Sequence, residues 1–207
     1  MGNMYSASAP SSSFAEQHDG DVHDGYKGFD ENLCCLGMQY EVGKTYEINP
    51  PESVSLCHKG YHYCQFPAEV LQYYSSDGHN RYCRVRAEGV IRTSNGDKYV
   101  CSKITILEEL SLEAMKTEQP SFVAHSDGSS THYNGNLEPC NAPDGSAGHT
   151  AADGTKVWVD STGKPSRPPQ QGPACLNTNT GEEMWLTKGV IHRPGKHPAV
   201  KVRFMQN

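Results

Sequence analysis

The stretch RYCRVRAEGVIRTSNGDKYVCSKITIL, residues 81–107, contains two segments in which apolar and polar residues alternate. This alternation, in RYCRVRAEGVI and again in KYVCSKITIL, is typical of β-strands that bury one face. Between the two segments, Asn95-Gly96 suits a tight hairpin turn because both residue types tolerate positive φ angles. The stretch therefore predicts an antiparallel β-hairpin.

The predicted hairpin belongs to a domain that spans residues 25–116. MQYEVGKTYEI, residues 38–48, shows the same alternation and predicts a further strand. The expected fold class is α+β: a small, antiparallel, β-rich N-terminal domain with one or two short helices, followed by a region of β-hairpin repeats.

Two segments of this domain favour helices. Pro67 suits the first turn of a helix. The residues after it place an apolar side chain on one helical face at Val70, Leu71 and Tyr74. LEELSLEAMK, residues 107–116, is the second helix candidate.

Composition limits the partners of the chain. The 207 residues include 18 Lys and Arg against 24 Asp and Glu, and the net charge of −6 opposes sequence-independent binding to phosphate backbones. No segment reaches the roughly 20 apolar residues of a membrane span. We therefore expect neither nucleic acid nor a membrane as a partner.

Residues 1–24 are rich in Ser and acidic residues and contain no Lys or Arg. This composition predicts an arm that is disordered or held by a partner.

Residues 117–207 are rich in Gly and Pro but carry a recurring pattern. A turn pair followed by an aromatic residue returns about every 26 residues, in units near 127–150, 153–177 and 180–203. The turn pairs are Asp127-Gly128, Asp153-Gly154 and Thr180-Gly181, and the aromatic residues are Tyr133, Trp158 and Trp185. Each unit predicts a hairpin that buries its aromatic ring only by stacking on a neighbour. The alternative is a flexible linker in which the matches arise by chance.

The segment CHKGYHYC, residues 57–64, brings two Cys and two His residues together. Thiolate and imidazole groups suit zinc, but the spacing of the two Cys is not that of a C-x-x-C zinc knuckle. As a strand, the segment would place His62 and Cys64 on one face and its two neighbouring tyrosines on the other. We predict a metal-free strand. A zinc-dependent regulator and a nucleophilic pair of Cys64 with His58 or His62 stay open as alternatives.

Four motifs together resemble an uncharacterised phage-associated domain. They are KGF at 27–29, CLGMQYEVGKTYE at 35–47, CHKGYHYC at 57–64 and SKI at 102–104. The resemblance covers residues 26–109 and implies a phage or prophage origin with no known activity.

The last predicted unit carries a second resemblance. WLTKGVIHRPGKHPAV, residues 185–200, is similar to the W-x-x-x-G-x-x-H-R-x-x-G-P-A hairpin repeats of many phage and bacterial proteins of uncertain role. The His192-Arg193 pair of this unit is missing from the other two units.

The order of the segments YKGF, GYHYCQFPAEVLQYY and ITILEE also resembles that of the ADP-ribosyltransferases, which hold NAD between such elements. By this resemblance Lys27 replaces the His or Arg that grips the cofactor, and His62 replaces the Tyr that stacks on nicotinamide. Glu108 or Glu109 would supply the acid. Lys lacks the planar group used at the first position. The resemblance thus implies a related fold without the NAD chemistry.

We expect a non-enzymatic phage structural or accessory protein that binds other proteins within a larger assembly, in the host cytoplasm or in the phage particle. No cofactor and no metal are expected. The residues predicted to contact partners are Tyr133, Trp158, Trp185, His192 and Arg193. The alternative is an anti-defence or nucleotide-acting enzyme with an ADP-ribosyltransferase-like fold, in which Lys27, His62 and Glu109 would be catalytic.

Overall fold

A computed structural model describes residues 16–19, 22–93, 97–195 and 197–202. This part of the chain is β-rich, with antiparallel sheets and two short α-helices. The strands of its first half are β1 Glu16–Asp19, β2 His23–Phe29, β3 Cys34–Cys35, β4 Met38–Gln39, β5 Thr45–Glu47, β6 Tyr61–Cys64, β7 Arg81–Thr93 and β8 Lys98–Leu110. The helices are α1 Pro67–Val70 and α2 Leu112–Glu118, and two 3-10 turns span Pro51–Ser53 and Pro169–Gln171.

The central element is the long antiparallel hairpin of β7 and β8, which confirms the two strands predicted from residues 81–107. The predicted turn at Asn95-Gly96 lies outside the described residues. The pairing register shifts near Gly89, where the backbone has φ +78° and an added Cβ would lie 2.3 Å from Ser102 Oγ. Ser102 Oγ accepts a hydrogen bond from the backbone N–H of Val90 (2.9 Å). Gly89 therefore forms a bulge that bends the hairpin.

The bent hairpin closes a ring of strands. β7 pairs with β2 as well as with β8, β8 pairs with β6, and β2 meets β6 at Tyr26 and Cys64. β1 and β5 extend the same sheet from β7 and β8. Buried side chains of all four ring strands and of the β3–β4 region form one apolar core: Phe29, Leu33, Tyr40, Tyr61, Tyr63, Cys83, Val85, Ala87, Ile91, Tyr99, Cys101, Ile104 and Ile106.

Several predicted boundaries are corrected. The helix candidate at 107–116 begins only at Leu112, because β8 continues to Leu110, where Glu108 and Glu109 pair with arginines of β7. Ser111 then caps α2 by accepting a hydrogen bond from the N–H of Ala114. The strand predicted over 38–48 is divided into β4 and β5, and the helix after Pro67 ends at Val70.

Part of the predicted arm lies in strands. Residues 16–19 form β1, and β2 begins at His23, so both strands start inside the segment 1–24. Residues 1–15 and 20–21 lie outside the described residues.

The second half forms a seven-stranded antiparallel sheet and a small two-stranded one. The strands are β9 Phe122–Ala124, β10 Ser130–His132, β11 His149–Thr150, β12 Thr155–Val157, β13 Cys175–Asn177, β14 Glu183–Met184, β15 Leu186–Thr187, β16 Val190–Ile191 and β17 Val200–Lys201. The larger sheet has the order β17-β14-β13-β12-β11-β10-β9. The predicted turn pairs connect β9 to β10, β11 to β12 and β13 to β14. A smaller antiparallel pairing follows each of them, at Tyr133↔Pro139, Val159↔Pro165 and Leu186↔Ile191.

Side chains from both sides of the predicted division at residues 116/117 pack in one core. Tyr133 and Leu137 from the first hairpin region, together with Val123 of β9, pack in one buried cluster with residues of the first half. Those partners are Cys64, Ala68, Val70, Tyr82, Leu110 and Met115. The first hairpin is therefore part of the N-terminal domain's hydrophobic core.

None of the helices in the described part of the chain has the length and apolarity that a membrane span requires.

Candidate functional site

A cavity of about 440 Å³ opens beside β2 and β6 in the first half of the chain. The hairpin tip between β3 and β4 and the segment that follows α1 complete its wall. Its lining residues are Tyr26, Lys27, Gly28, Cys35, Leu36, Cys57, His62, Tyr63, Cys64, Val70, Tyr73, Tyr74 and Lys98. Such a volume suits a small molecule.

Lys27 is the buried cation of the cavity, with 4% of its surface exposed. Its ammonium donates to the backbone carbonyl of His62 (2.8 Å) and contacts the sulfur of Cys35 (3.4 Å). The same nitrogen lies 5.4 Å and 5.5 Å from the ring centroids of Phe29 and Tyr40, which provides cation–π stabilisation. No carboxylate is among the described residues that line the cavity. The buried positive charge therefore lacks an acidic partner there.

The sulfur of Cys35 lies beside this ammonium and accepts a second hydrogen bond, from Tyr74. Tyr74 Oη is 3.0 Å from Cys35 Sγ. Burial, followed by the hydrogen bond to Cys35, raises the pKa of Tyr74, so the phenol keeps the proton that it donates. Cys35 is half-buried, and its sulfur faces both a phenol and an ammonium.

His62 is neutral near pH 7. Burial, and then the charges of Lys27 and Lys98, lower its pKa to about 4. Its Nε2 accepts a hydrogen bond from the backbone N–H of Cys57 (3.0 Å), which places the ring proton on Nδ1. The ring therefore fixes the loop before β6 and adds no charge to the cavity.

The mouth of the cavity has an unusual backbone. Leu36 is 90% exposed and has φ +52°, a left-handed conformation that costs a leucine roughly 1 to 2 kcal/mol. Cys57, which lines the same cavity, also has a positive φ (+64°). Gly28 lies so close to Tyr74 that an added Cβ would be 2.3 Å from Tyr74 Cδ2. Strained residues and close approach of this kind are typical of functional sites.

The residues of the alternative enzymatic interpretation come together only in part. Lys27 and His62 line the same cavity. Glu109 instead forms two hydrogen bonds with Arg81 (2.7 and 2.6 Å) and lines a different cavity. The three residues therefore do not form one constellation. The pair of Cys64 with a histidine is also unsuited to catalysis, because Cys64 is buried and its burial raises the pKa of its thiol.

The strand prediction for residues 57–64 holds for its second half. β6 covers Tyr61–Cys64, with Tyr61 and Tyr63 in the core and Cys64 on the opposite side of the strand. No set of three or more His, Cys, Asp or Glu residues able to hold a metal ion occurs in the part of the chain that is described.

The residues predicted to contact partners lie among the hairpins of the second half. Tyr133, Trp158 and Trp185 are buried, and guanidinium groups lie over both indole rings: Arg167 at 3.9 Å and Arg193 at 3.8 Å from the ring centroid. His192 is exposed, and its backbone N–H donates to the carbonyl of Trp185. The three rings thus stabilise the hairpins and present little surface to a partner.

A second cavity, of about 490 Å³, separates α1 from the first hairpins. Its buried acid is Glu69, whose Oε2 accepts the N–H of Phe66 (3.1 Å) while Oε1 lies 3.5 Å from Nε2 of His125. Burial is the main cause that raises the pKa of Glu69 to about 8. A carboxyl whose pKa is raised by folding stabilises the folded state, and this stabilisation is complete at pH values below the group's ordinary pKa of 4.5. That stability is lost as the pH rises through about 8.

Glu69→Gln is expected to raise the free energy of unfolding above pH 8 by on the order of a few kcal/mol, because it keeps the hydrogen bond to Phe66 and removes the buried ionisation. Urea unfolding at pH 5 to 9 measures the effect, and the variant should lose much of the wild type's decline in stability. Glu113→Gln, at an exposed position of α2, is the control with little expected change. An unchanged pH dependence in Glu69→Gln would show that Glu69 is not the group responsible.

Sequence reasoning named Lys27 and His62 but missed Cys35 and Tyr74 as site residues. Cys35 belongs to the motif at 35–47, but the residues next to it in the sequence do not indicate that Lys27 and Tyr74 contact its sulfur. Tyr74 is 39 residues away and was predicted only as part of a helix face. Gly28, within the quoted KGF motif, packs against Tyr74 so closely that an added Cβ would lie 2.3 Å from Tyr74 Cδ2.

Residues 23–118 match a family model described as a domain of unknown function (DUF7666). This agrees with the uncharacterised domain family expected for residues 26–109, with slightly wider bounds. The match includes every residue that lines the first cavity and ends with α2. Comparisons with curated proteins and with solved structures gave no match.

Proposed function

We propose that the chain is a binding protein whose N-terminal domain holds a small anionic molecule with a flat, apolar body. The observation that carries this proposal is the buried ammonium of Lys27 in a cavity whose described lining contains no carboxylate. Burying a charge without a counter-charge costs several kcal/mol. An anionic ligand beside Lys27 would offset that cost.

The rest of the lining supports the same ligand class. Lys98 adds a second ammonium, 5.1 Å from the ring centroid of Tyr73, although the whole chain has a net charge of −6. Four tyrosines and Val70 supply apolar and aromatic surface for the body of the ligand. Both cationic groups line the same cavity as this surface and would attract the charged end of the ligand.

Calorimetric titration with benzoate and with its neutral analogue benzamide tests the proposal. We expect benzoate to bind at least tenfold more tightly than benzamide, a difference of about 1.4 kcal/mol. Lys27→Met should abolish this preference, whereas Lys156→Met, at an exposed position of the hairpin array, should retain it. Equal binding of the two probes, or an unchanged preference in folded Lys27→Met, would contradict the proposal.

Protein binding by the hairpin array is the second candidate function, and the phage-related resemblances favour an assembly of that origin as its setting. The supporting observation is an apolar surface at the last hairpins. Val190, Ile191, Val200 and Val202 are exposed there, and β17 is an edge strand of the larger sheet in its described extent. Exposed edge strands pair readily with an extended segment of another protein.

The content of purified phage particles tests this second candidate. Quantitative mass spectrometry should detect the chain in a fixed ratio to the particle proteins, and Val200→Lys should lower that ratio by disturbing the edge strand. Particles that lack the wild-type chain would exclude a place in the particle.

A further inference from the structure

We propose that Cys35 is a nucleophilic thiol site that reacts with small electrophiles carrying a negative charge. This goes beyond the proposed binding function, because a thiol can react without a stably bound ligand. The geometry points to it through three features: two donors on one sulfur, access from a cavity, and cations around that cavity.

The first feature is the arrangement of donors around the sulfur. Tyr74 Oη at 3.0 Å and Lys27 Nζ at 3.4 Å both face Cys35 Sγ. A neutral thiol is a weak acceptor, whereas a thiolate is stabilised by an ammonium and a hydroxyl. Lys27, which lacks a carboxylate partner in the cavity, gains a counter-charge when the sulfur is anionic.

The neighbouring cysteine provides the contrast. Cys34 lies in the same strand and is also half-buried, but its sulfur donates to Oε1 of Gln39 (3.0 Å). A thiol that donates is held in its protonated form. The two adjacent residues therefore differ in the direction of their hydrogen bonds, and only Cys35 lines the cavity.

Access to Cys35 comes through the mouth formed by Leu36, the exposed residue that follows it. A compact electrophile entering there meets the sulfur beside the ammonium of Lys27, and Lys98 lines the same cavity. Those groups favour an anionic reagent over a neutral one of the same size.

The reaction is a simple displacement. The thiol releases its proton to solvent, and the electron pair of the resulting thiolate attacks the electrophilic atom. A bond from that atom to Cys35 Sγ forms, and the leaving group departs with the electron pair of its former bond to the same atom. With iodoacetate, the new bond is S–C and iodide leaves. With a small anionic disulfide, the new bond is S–S and one half of the disulfide leaves as a thiolate.

Alkylation rates near pH 7 test the proposal on the full-length chain. Iodoacetate and iodoacetamide are used as probes with Cys34→Ser and Cys35→Ser, and tandem mass spectrometry locates the modified residue. We expect Cys35 to react at least about tenfold faster than Cys34. The ratio of the iodoacetate rate to the iodoacetamide rate should also be higher at Cys35 than at Cys140 or Cys175, which are half-buried thiols of the hairpin array.

Two variants separate the role of the donors from general damage to the fold. Tyr74→Phe removes one hydroxyl, and Lys27→Met removes the ammonium; each should slow Cys35 severalfold while leaving the rates of Cys140 and Cys175 unchanged. Rates at Cys35 equal to those at Cys34 would overturn the proposal. A fast Cys35 that is insensitive to both substitutions, or that shows no preference for iodoacetate relative to Cys140, would overturn it equally. Benzoate binding by Cys35→Ser is measured in parallel, so failure of the thiol chemistry and failure of ligand binding are distinguishable.

Discussion

Tyr133→Ala is expected to lower the free energy of unfolding by about 3 to 5 kcal/mol, and to do so in the N-terminal domain as well as in the first hairpin. The ring of Tyr133 is buried in the cluster that joins Val70, Tyr82 and Met115. Its removal leaves a cavity between the two halves of the chain. Because β7 contributes Tyr82 to this cluster, the central hairpin should lose stability together with the first hairpin.

Hydrogen exchange measured by mass spectrometry checks this result, with peptides from 81–110 and from 122–139 as the two reporters. Phe122→Ala is the matched control: that ring is exposed and contacts His132, so the expected loss is about 1 kcal/mol or less. Full protection of 81–110 in folded Tyr133→Ala would mean that the two halves are stable independently.

Trp185→Ala is expected to open the last hairpins, at a cost of about 3 to 5 kcal/mol, and to leave the central β7–β8 hairpin protected. Trp185 is buried under Arg193 and contacts Lys201 at 5.1 Å from the ring centroid. Units in a linear array contact mainly their neighbours, so the loss should decline with distance along the array.

Hydrogen exchange in peptides from 175–202, compared with exchange in peptides from 81–110, measures whether the last hairpins open while the central hairpin stays protected. Val190→Ala, at an exposed position of the same region, should change neither set. If Trp185→Ala unfolds 81–110 as readily as 175–202, the whole chain is one cooperative unit. If it leaves 175–202 unchanged, the indole does not hold the last hairpins.

Local alternation was enough to predict the β7 and β8 strands, because each strand buries one face against the core. The alternation did not predict where β8 ends, which is at Leu110. Residues 107–110 have a helical pattern as well, and the outcome depends on Arg81 and Arg84, which pair with Glu109 and Glu108 from the neighbouring strand. Pairing across strands is invisible in a local window of sequence.

The same limit applies to the candidate site. Lys27 and His62 stood out in the sequence as replacements in an NAD-binding pattern, and the structure places both at one cavity. Cys35 and Tyr74 could not be paired in advance, because their contact depends on how the β3–β4 hairpin packs against the segment after α1. The core shared with the first hairpin was missed because Tyr133 resembles the aromatic residues of the later units.

Protection of Cys35 by a bound anion is the most direct measurement of whether Lys27 and Cys35 form one ligand site. Alkylation of Cys35 by iodoacetamide is followed with and without saturating benzoate, with Cys140 as the internal reference. Because Lys27 Nζ lies 3.4 Å from Cys35 Sγ, a carboxylate bound to the ammonium should cover the sulfur and slow its alkylation severalfold, leaving Cys140 unchanged. An unchanged rate at Cys35 under saturating benzoate would contradict the assignment of this cavity as the functional site.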